Sequence, residues 1–280
     1  MKRLSIILAA FLTIAVCQAQ TYVPVRTYDA PEANQGVAVD ASSFYAIGNS
    51  RITKYSRSGD LLATFTENDR RLIKHFDGGI VVKKKLYCSH SNFPGIPMAS
   101  SIEVFDTKTL KHLESISFGI EYGSCTWIVP GKNCWFVCFA HYDKNGESAG
   151  GEIIRDASWT QIIKFNRKWQ KQCAWILPPE LVEEIRPMSL SGGLLVDGKL
   201  WCTGHDAQKV YVLEFPPYGT TLRWTGTIDI PFKGQGIAID GRGHLWGIDR
   251  KDKCVIEAER LLTTPSGTSS ADGRILDKQK

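Results

Sequence analysis

Three histidines stand at the ends of similar apolar, aromatic-containing runs of this sequence. They are His90, His141 and His205, and Asp206 follows the last of them. Neutral imidazoles with nearby carboxylate oxygens are common ligands of divalent transition metals. A metal held there would polarise a carbonyl or generate hydroxide from bound water. We therefore predict one divalent metal ion on the three histidines. The predicted catalytic residues are His90, His141, His205, Asp206 and Glu152.

The elements that must position these residues are five repeats of one strand pattern. Each repeat begins with a short apolar strand that starts at a small residue. A polar turn leads to a second strand that contains an aromatic residue, and an alternating third strand follows. Four of the five add a fourth strand, and the repeats begin at residues 36, 78, 124, 192 and 236. Such periods, with four strands per unit, are typical of β-propeller blades. We predict an all-β fold, a five-bladed β-propeller.

The fifth repeat lacks a fourth strand, because residues 261–280 are mostly polar. The strand-like segment Tyr22–Tyr28 precedes the first repeat, and we expect it to supply the missing strand. The last blade is then closed by the N-terminal strand, which removes exposed sheet edges. The predicted propeller spans residues 20–262, and residues 263–280 form a flexible tail.

Strand alternation brings two sets of loops to one face of the ring, which we call the mouth. These are the loops between second and third strands and the loops between blades, and a propeller binds ligands where such loops converge. Each polar residue there could also be a turn or cap residue, and the histidines could simply be solvated. His75 approaches the mouth and is expected to line it. The predicted ligand-binding residues are Asn49, Asp77, Gln35, Gln235, Trp127, Asp249 and Arg250.

Composition restricts the class of partner. Hydrophobic residues make up 43% of the chain and charged residues 22%, which excludes wholesale disorder. The formal charge of +5 is too small to indicate a nucleic-acid partner. We expect a small-molecule or glycan ligand, a monomer and no membrane span. Lys83–Lys85 lie in a turn opposite the mouth and are expected to be a solvated surface patch.

The first residues have the pattern of an export signal. Lys2 and Arg3 precede an apolar run from Leu4 to Val16, and Ala19 precedes the expected cleavage point. Residues 1–19 are therefore predicted to be a signal peptide, and the mature protein to be periplasmic or secreted. An uncleaved anchor and a lipidated Cys17 remain alternatives.

Seven cysteines would follow the cleavage point, so at least one thiol is unpaired. Cys88, Cys138 and Cys202 occupy equivalent positions in second strands, together with Ala46 and Gly247. All five residues are small, as expected where neighbouring blades press together. Most of the cysteines are therefore predicted to be buried, unpaired apolar residues.

Two segments resemble known propeller blades. They are Ile52–Leu62 and Gly236–Asp249, which are similar to blades of the NHL and SMP-30/gluconolactonase-like propellers. The segments 89–94 and 203–206 resemble an uncharacterised group of exported propellers. The SMP-30 resemblance implies a divalent metal held at the mouth by Glu, Asn and Asp, whereas this sequence has Glu32 followed by Ala-Asn-Gln-Gly and histidines at most mouth positions.

Taken together, these patterns predict an exported enzyme. We expect a hydrolase or lyase that acts on a small polar or carbohydrate-derived substrate, with possible assistance from the metal. The alternative is a non-catalytic module that binds glycans or a protein partner through Trp127 or Trp159 and the long insertions at the mouth.

Overall fold

The protein is built from short strands arranged in four-stranded groups. The computed structural model describes residues 20–143 and 155–261, and within these ranges twenty strands form three four-stranded sheets and one eight-stranded sheet. They are accompanied by the helix α1 (Pro179–Ile185) and by a 3-10 turn at Ala157–Trp159.

The first three repeats each form a separate antiparallel sheet with the strands in chain order. The first sheet contains β2 (Gly36–Val39), β3 (Ser43–Ile47), β4 (Arg51–Ser56) and β5 (Leu61–Thr66). The second contains β6 (His75–Val82), β7 (Lys85–Ser91), β8 (Ser100–Asp106) and β9 (His112–Gly119). The third contains β10 (Ser124–Gly131), β11 (Cys134–Ala140), β12 (Gln161–Asn166) and β13 (Lys171–Ile176).

The eight-stranded sheet combines the last two repeats with the N-terminal strand. One half contains β14 (Gly192–Val196), β15 (Lys199–Thr203), β16 (Lys209–Glu214) and β17 (Arg223–Asp229). The other contains β18 (Ala238–Ile239), β19 (Leu245–Asp249), β20 (Cys254–Arg260) and β1 (Gln20–Asp29). β1 pairs antiparallel with β20, as expected for the N-terminal segment, and its first two residues also pair in parallel with the end of β17.

The first strand of each repeat faces the common centre. The strands β2, β6, β10, β14 and β18 contact one another in this order, and β18 contacts β2 again. The second strand β11 is buried throughout, whereas most residues of the outer strand β9 are exposed. The rings of Tyr28, Phe44 and Trp246 lie 4.7–5.6 Å apart and pack the last repeat against the first. The structure is a β-propeller, which confirms the predicted all-β fold class.

Glycine backbones fill the centre of the ring at the level where the inner strands begin. A Cβ atom on Gly236 would lie 3.0 Å from Gly78 Cα and 3.1 Å from Gly36 Cα. Only glycine permits main chains to approach this closely. The residues directly before these glycines are Gln35, Asp77 and Gln235, so they form the floor of the mouth.

The described cysteines occupy the positions expected from the repeat. All seven are free, and all except Cys173 are buried. A Cβ atom on Gly247, which stands at the same slot as Cys88, Cys138 and Cys202, would lie 2.2 Å from the Phe232 ring. Small side chains at this slot are therefore required by packing between neighbouring units.

Several sequence predictions fall outside the described residues. They concern the signal peptide at 1–19, the tail at 263–280 and the catalytic residue Glu152. Among the residues that the structure describes, no helix has both the length and the apolar character needed to cross a membrane.

The glycine contact at the centre predicts a specific stability difference. Gly236→Ala should destabilise the fold by about 2 kcal/mol, because main-chain atoms cannot move aside for the added methyl group. Gly226→Ala is the matched control, since nothing lies within 4 Å of its Cβ position. Urea denaturation measures both, and equal stability of the two variants would contradict the close central contact.

Candidate functional site

A β-bulge in the second repeat determines the position of Asp77 at the mouth. In the pairing of β6 with β7, Phe76 lies opposite His90 and Gly79 opposite Cys88, so the register shifts across Asp77 and Gly78. The Ser89 hydroxyl holds this bulge, because it accepts from Gly78 N (2.9 Å) and donates to the carbonyl of Thr126 (2.7 Å). Bulges of this kind redirect a side chain out of the ordinary alternation.

The Asp77 carboxyl group is buried and only partly bonded. The residue is 5% exposed, its Oδ1 lies 3.4 Å from His75 Nε2, and its Oδ2 has no hydrogen-bond partner within the described parts of the chain. Burial raises the pKa of Asp77, and the opposing charge of His75 only reduces this shift. Asp77 therefore retains its proton to higher pH than an ordinary aspartate, and His75 is its direct partner.

The amide side chains around Asp77 are bonded to one another and to the main chain. Gln35 Nε2 donates to Asn49 Oδ1 (2.6 Å), and Gln235 Nε2 donates to the carbonyl of His205 (3.1 Å). Gly236 N donates to the Gln35 carbonyl at 2.9 Å. The structure thus brings the predicted residues Gln35, Gln235 and Asn49 to the mouth, where these bonds fix its floor.

His205, Asp206 and Arg250 form a second polar group at the mouth. His205 Nδ1 lies 2.6 Å from Asp206 Oδ2, and Arg250 Nη2 donates to Asp206 Oδ1 at 2.9 Å. Burial acts to raise the pKa of Asp206, but the hydrogen bond from His205 and the charge of Arg250 outweigh it and lower that pKa. His205 and Asp206 border a cavity of about 120 Å³, and the charge of His205 also acts on Asp77.

His90 and His141 are engaged elsewhere. His90 Nε2 accepts from Lys74 N (3.1 Å), so its Nδ1 carries the proton toward Ser101 Oγ (2.9 Å). His141 Nε2 donates to the Tyr122 carbonyl (3.0 Å), and its Nδ1 is buried without a partner in the described structure. Burial lowers the pKa of His90 to about 4 and also lowers that of His141. Both rings are therefore neutral at physiological pH.

The structure does not bring the three predicted metal ligands together. The ring nitrogens of His90, His141 and His205 bond to different groups, and these residues form no cluster of ligand atoms in the described ranges. The lone pair of His90 Nε2 is used by a main-chain N–H, and His141 Nε2 carries a proton. These donors do not fit a shared divalent ion.

A different set of possible metal ligands lies at the opposite end of the ring. Ligand atoms of Asp240, His244 and Glu257 lie within 4.8 Å of one another. However, Arg242 Nη2 donates to both carboxylates, and Tyr28 Oη donates to Glu257 at 3.0 Å. The guanidinium group already supplies the positive charge between the two carboxylates, so this cluster is an ion-pair network.

Two predicted ligand-binding residues have other roles, which corrects the sequence interpretation. Trp127 is 2% exposed and packs on Gly193, whose Cβ would lie 2.5 Å from the indole. Asp249 caps a turn by accepting from Lys251 N (2.8 Å) and Asp252 N (3.0 Å). Trp127 is therefore enclosed by packing, and the Oδ1 atom of the half-buried Asp249 is engaged in its own turn.

Aromatic residues that the sequence analysis did not select stand beside the Asp77 pair. The Phe93 ring lies 5.0 Å from the His75 ring and 5.1 Å from the Tyr142 ring. Phe93 is half-buried and belongs to the long insertion of the second repeat, whereas Tyr142 is buried. The position of Phe93 in that insertion was the available signal, since insertions at the mouth approach the ligand.

Comparisons with known proteins support the fold. No protein-family model and no curated protein matches the sequence, so the NHL and SMP-30 resemblance has no support at that level. Glutaminyl cyclase of Myxococcus xanthus superposes with a TM-score of 0.56 at 11% identity, over 86% of this chain and 97% of that one. The GH43_1 enzyme of Xanthomonas citri, complexed with xylose, gives 0.54 at 10% identity, over 88% and 92%. At such low identity the likeness shows the fold alone.

The neutral state of the half-buried His90 predicts how stability depends on pH. Its pKa is about 4 in the folded chain and 6.5 in the unfolded chain. The stability that the neutral ring contributes above pH 6.5 is therefore lost as pH falls toward 4. The loss amounts to about 3 kcal/mol. His90→Gln should therefore lose less stability in acid than the wild type, while the two profiles run parallel above pH 7. Denaturant titrations from pH 4 to 8 measure this, and identical acid slopes would contradict it.

Proposed function

We propose that this protein is a five-bladed β-propeller enzyme that hydrolyses a small polar or carbohydrate-derived substrate at the mouth. The blade count treats the eight-stranded sheet as two blades, one made of β14–β17 and the other of β18–β20 with β1. One observation carries the function. Asp77 is a buried carboxyl group with a raised pKa and a free oxygen, and it lies directly beside a histidine.

The Asp77 and His75 pair has the chemistry of a general acid and a general base. Protonated Asp77 donates its proton to the leaving oxygen of the substrate, while His75 takes a proton from the attacking water. The products are an aspartate and an imidazolium 3.4 Å apart, so each charge stabilises the other. Return of the proton from His75 to Asp77 restores the starting state. In a lyase the same histidine would instead remove a proton from carbon.

The second polar group supplies substrate contacts. Asp206, whose side chain is 64% exposed, can accept from substrate hydroxyl groups, and Arg250 can donate to a carboxylate or hydroxyl oxygen. The half-buried Phe93 ring offers an apolar surface beside His75. A mostly apolar wall with a few directed polar groups is typical of small-ligand sites. No step is assigned to a metal, because the ring nitrogens of the three candidate histidines form no cluster of ligand atoms in the described ranges.

A non-catalytic binding module is the second candidate. Trp159 is 53% exposed, and the guanidinium carbon of Arg155 lies 5.3 Å from the centre of its ring. An exposed indole near the mouth suits a glycan or a protein partner. This candidate predicts binding without turnover, and such binding would not depend on Asp77.

Export is part of the proposal. The leader-like residues 1–19 would direct the chain to the periplasm or the exterior. The burial of six of the seven described cysteines is compatible with this location, because an oxidising compartment would meet an exposed thiol only at Cys173 among the described residues.

The acid–base pair predicts the effect of two substitutions. On a panel of glycosides, lactones and esters of sugars, Asp77→Asn and His75→Gln should each lower kcat by about 100-fold to 10,000-fold. Asp60→Asn and His112→Gln are matched controls in turns and outer strands away from the mouth, and they should retain full activity. Turnover that survives both site substitutions would rule out this pair as the acid and base.

The same pair predicts the direction of the pH profile. Because burial raises the pKa of Asp77, the group is protonated and active below that pKa, and kcat should fall as pH rises through it. Asp77→Asn cannot ionise, so its residual rate should lose this alkaline limb. A limb that persists in Asp77→Asn would assign it to another group.

A further inference from the structure

A second groove lies at the opposite end of the second and third repeats from the mouth. It has a volume of about 760 Å³ and is formed where β6 turns into β7 and where β10 turns into β11. We call it the basic groove. Its cationic lining residues are Lys83, Lys84, Lys85 and Arg167, and Tyr87 and Trp135 form its apolar side.

No carboxylate of the described residues neutralises the charges of the basic groove. Its lining contains four cations and no carboxylate, and none of the four forms a salt bridge in residues 20–143 and 155–261. Another pocket, near Trp246, is also rich in arginine, but there Arg57 and Arg242 are paired with Asp240. The contrast indicates that the positive charge of the basic groove is available to an anionic ligand.

Arg167 is held in place before any ligand arrives, and the turn that carries the lysines is anchored through its main chain. The Arg167 guanidinium lies 4.6 Å from the centre of the Trp135 ring, and its Nη2 donates to the Gly131 carbonyl at 3.2 Å. Trp135 in turn stacks on Trp169, with the rings 5.6 Å apart and inclined by 5°. The Lys84 carbonyl accepts from Thr107 N at 3.1 Å, which anchors the lysine turn. Such preorganisation lowers the entropy lost on binding.

We propose that the basic groove binds an acidic polysaccharide whose carboxylate or sulfate groups contact Arg167 and the three lysines. A planar guanidinium forms paired hydrogen bonds with such groups, and neighbouring ammonium groups add charge along the chain. This inference is independent of hydrolysis at the mouth, because it uses none of the residues placed there.

The aromatic rings favour a polysaccharide over a nucleic acid. Single-stranded nucleic acids stack their bases on free aromatic faces. Here Trp135 is buried, the Arg167 guanidinium lies over its ring, and the Trp169 ring stacks against it. Tyr87 packs against Trp135 with 4.9 Å between ring centres. The groove therefore offers concentrated charge above aromatic rings that are already stacked.

Calorimetric titration with oligogalacturonate tests the proposal, with a neutral glucan oligomer and single-stranded DNA as comparison ligands. Arg167→Gln and the triple variant Lys83→Gln/Lys84→Gln/Lys85→Gln should each weaken oligogalacturonate binding by about tenfold or more. The matched control Arg71→Gln/Lys233→Gln/Lys251→Gln removes the same charge from exposed positions elsewhere and should change affinity less than about twofold. The triple lysine variant leaves Arg167 on Trp135, so it tests the groove even if Arg167→Gln does not fold.

Four results would overturn the proposal. They are no binding of oligogalacturonate, equal binding of the neutral oligomer, equal weakening by the control variant, and tighter binding of DNA. Asp77→Asn should bind oligogalacturonate as the wild type does. Loss of turnover in that variant with intact binding would therefore separate the groove from the function of the mouth.

Discussion

The contact between glycine main chains at the centre of the ring is the constraint on which the rest of the structure depends. It brings the starts of inner strands that are far apart in sequence to one place, with Gly36 and Gly236 within van der Waals distance of each other. The glycine main chains fill the space at the axis. The polar side chains of the residues before them, Gln35, Asp77 and Gln235, therefore form the floor of the mouth. Closure of the ring by β1 on β20 maintains this contact, because it leaves the last repeat with a complete sheet.

The same constraint explains why a carboxyl group is buried at the floor. The bulge places Asp77 and Gly78 opposite the single residue Ser89, and the Asp77 carboxyl group lies beside His75 and near enough to Tyr142 for its charge to act on that hydroxyl group. Burial without a full set of partners disfavours the ionised form. A buried carboxyl group of this kind is retained when the surrounding fold fixes its position, although its burial costs stability. Such a group can serve as a reactive acid. His75 offsets part of the cost and provides the base.

Sequence reasoning recovered the parts of the site that depend on strand periodicity. Gln35, Asp77 and Gln235 were placed at the mouth because each stands directly before a repeat's first strand, and the structure has them there. The free, buried cysteines followed from the same alignment. The failure of the three histidines to converge was not predictable from the sequence, since the partners of His90 and His141 are the Lys74 N–H and the Tyr122 carbonyl of adjoining loops. The partnership of His75 with Asp77 also depends on a bulge that has no periodic signal.

The ionisation of Asp77 tests the central claim most directly. In protein labelled with ¹³C at the aspartate side-chain carboxyl, the Asp77 resonance can be assigned by its absence from Asp77→Asn and followed from pH 3 to 9. The account predicts a midpoint well above the ordinary aspartate value, and above that of the exposed Asp60, whose hydroxyl partners lower its pKa. A midpoint at or below the ordinary value would contradict it.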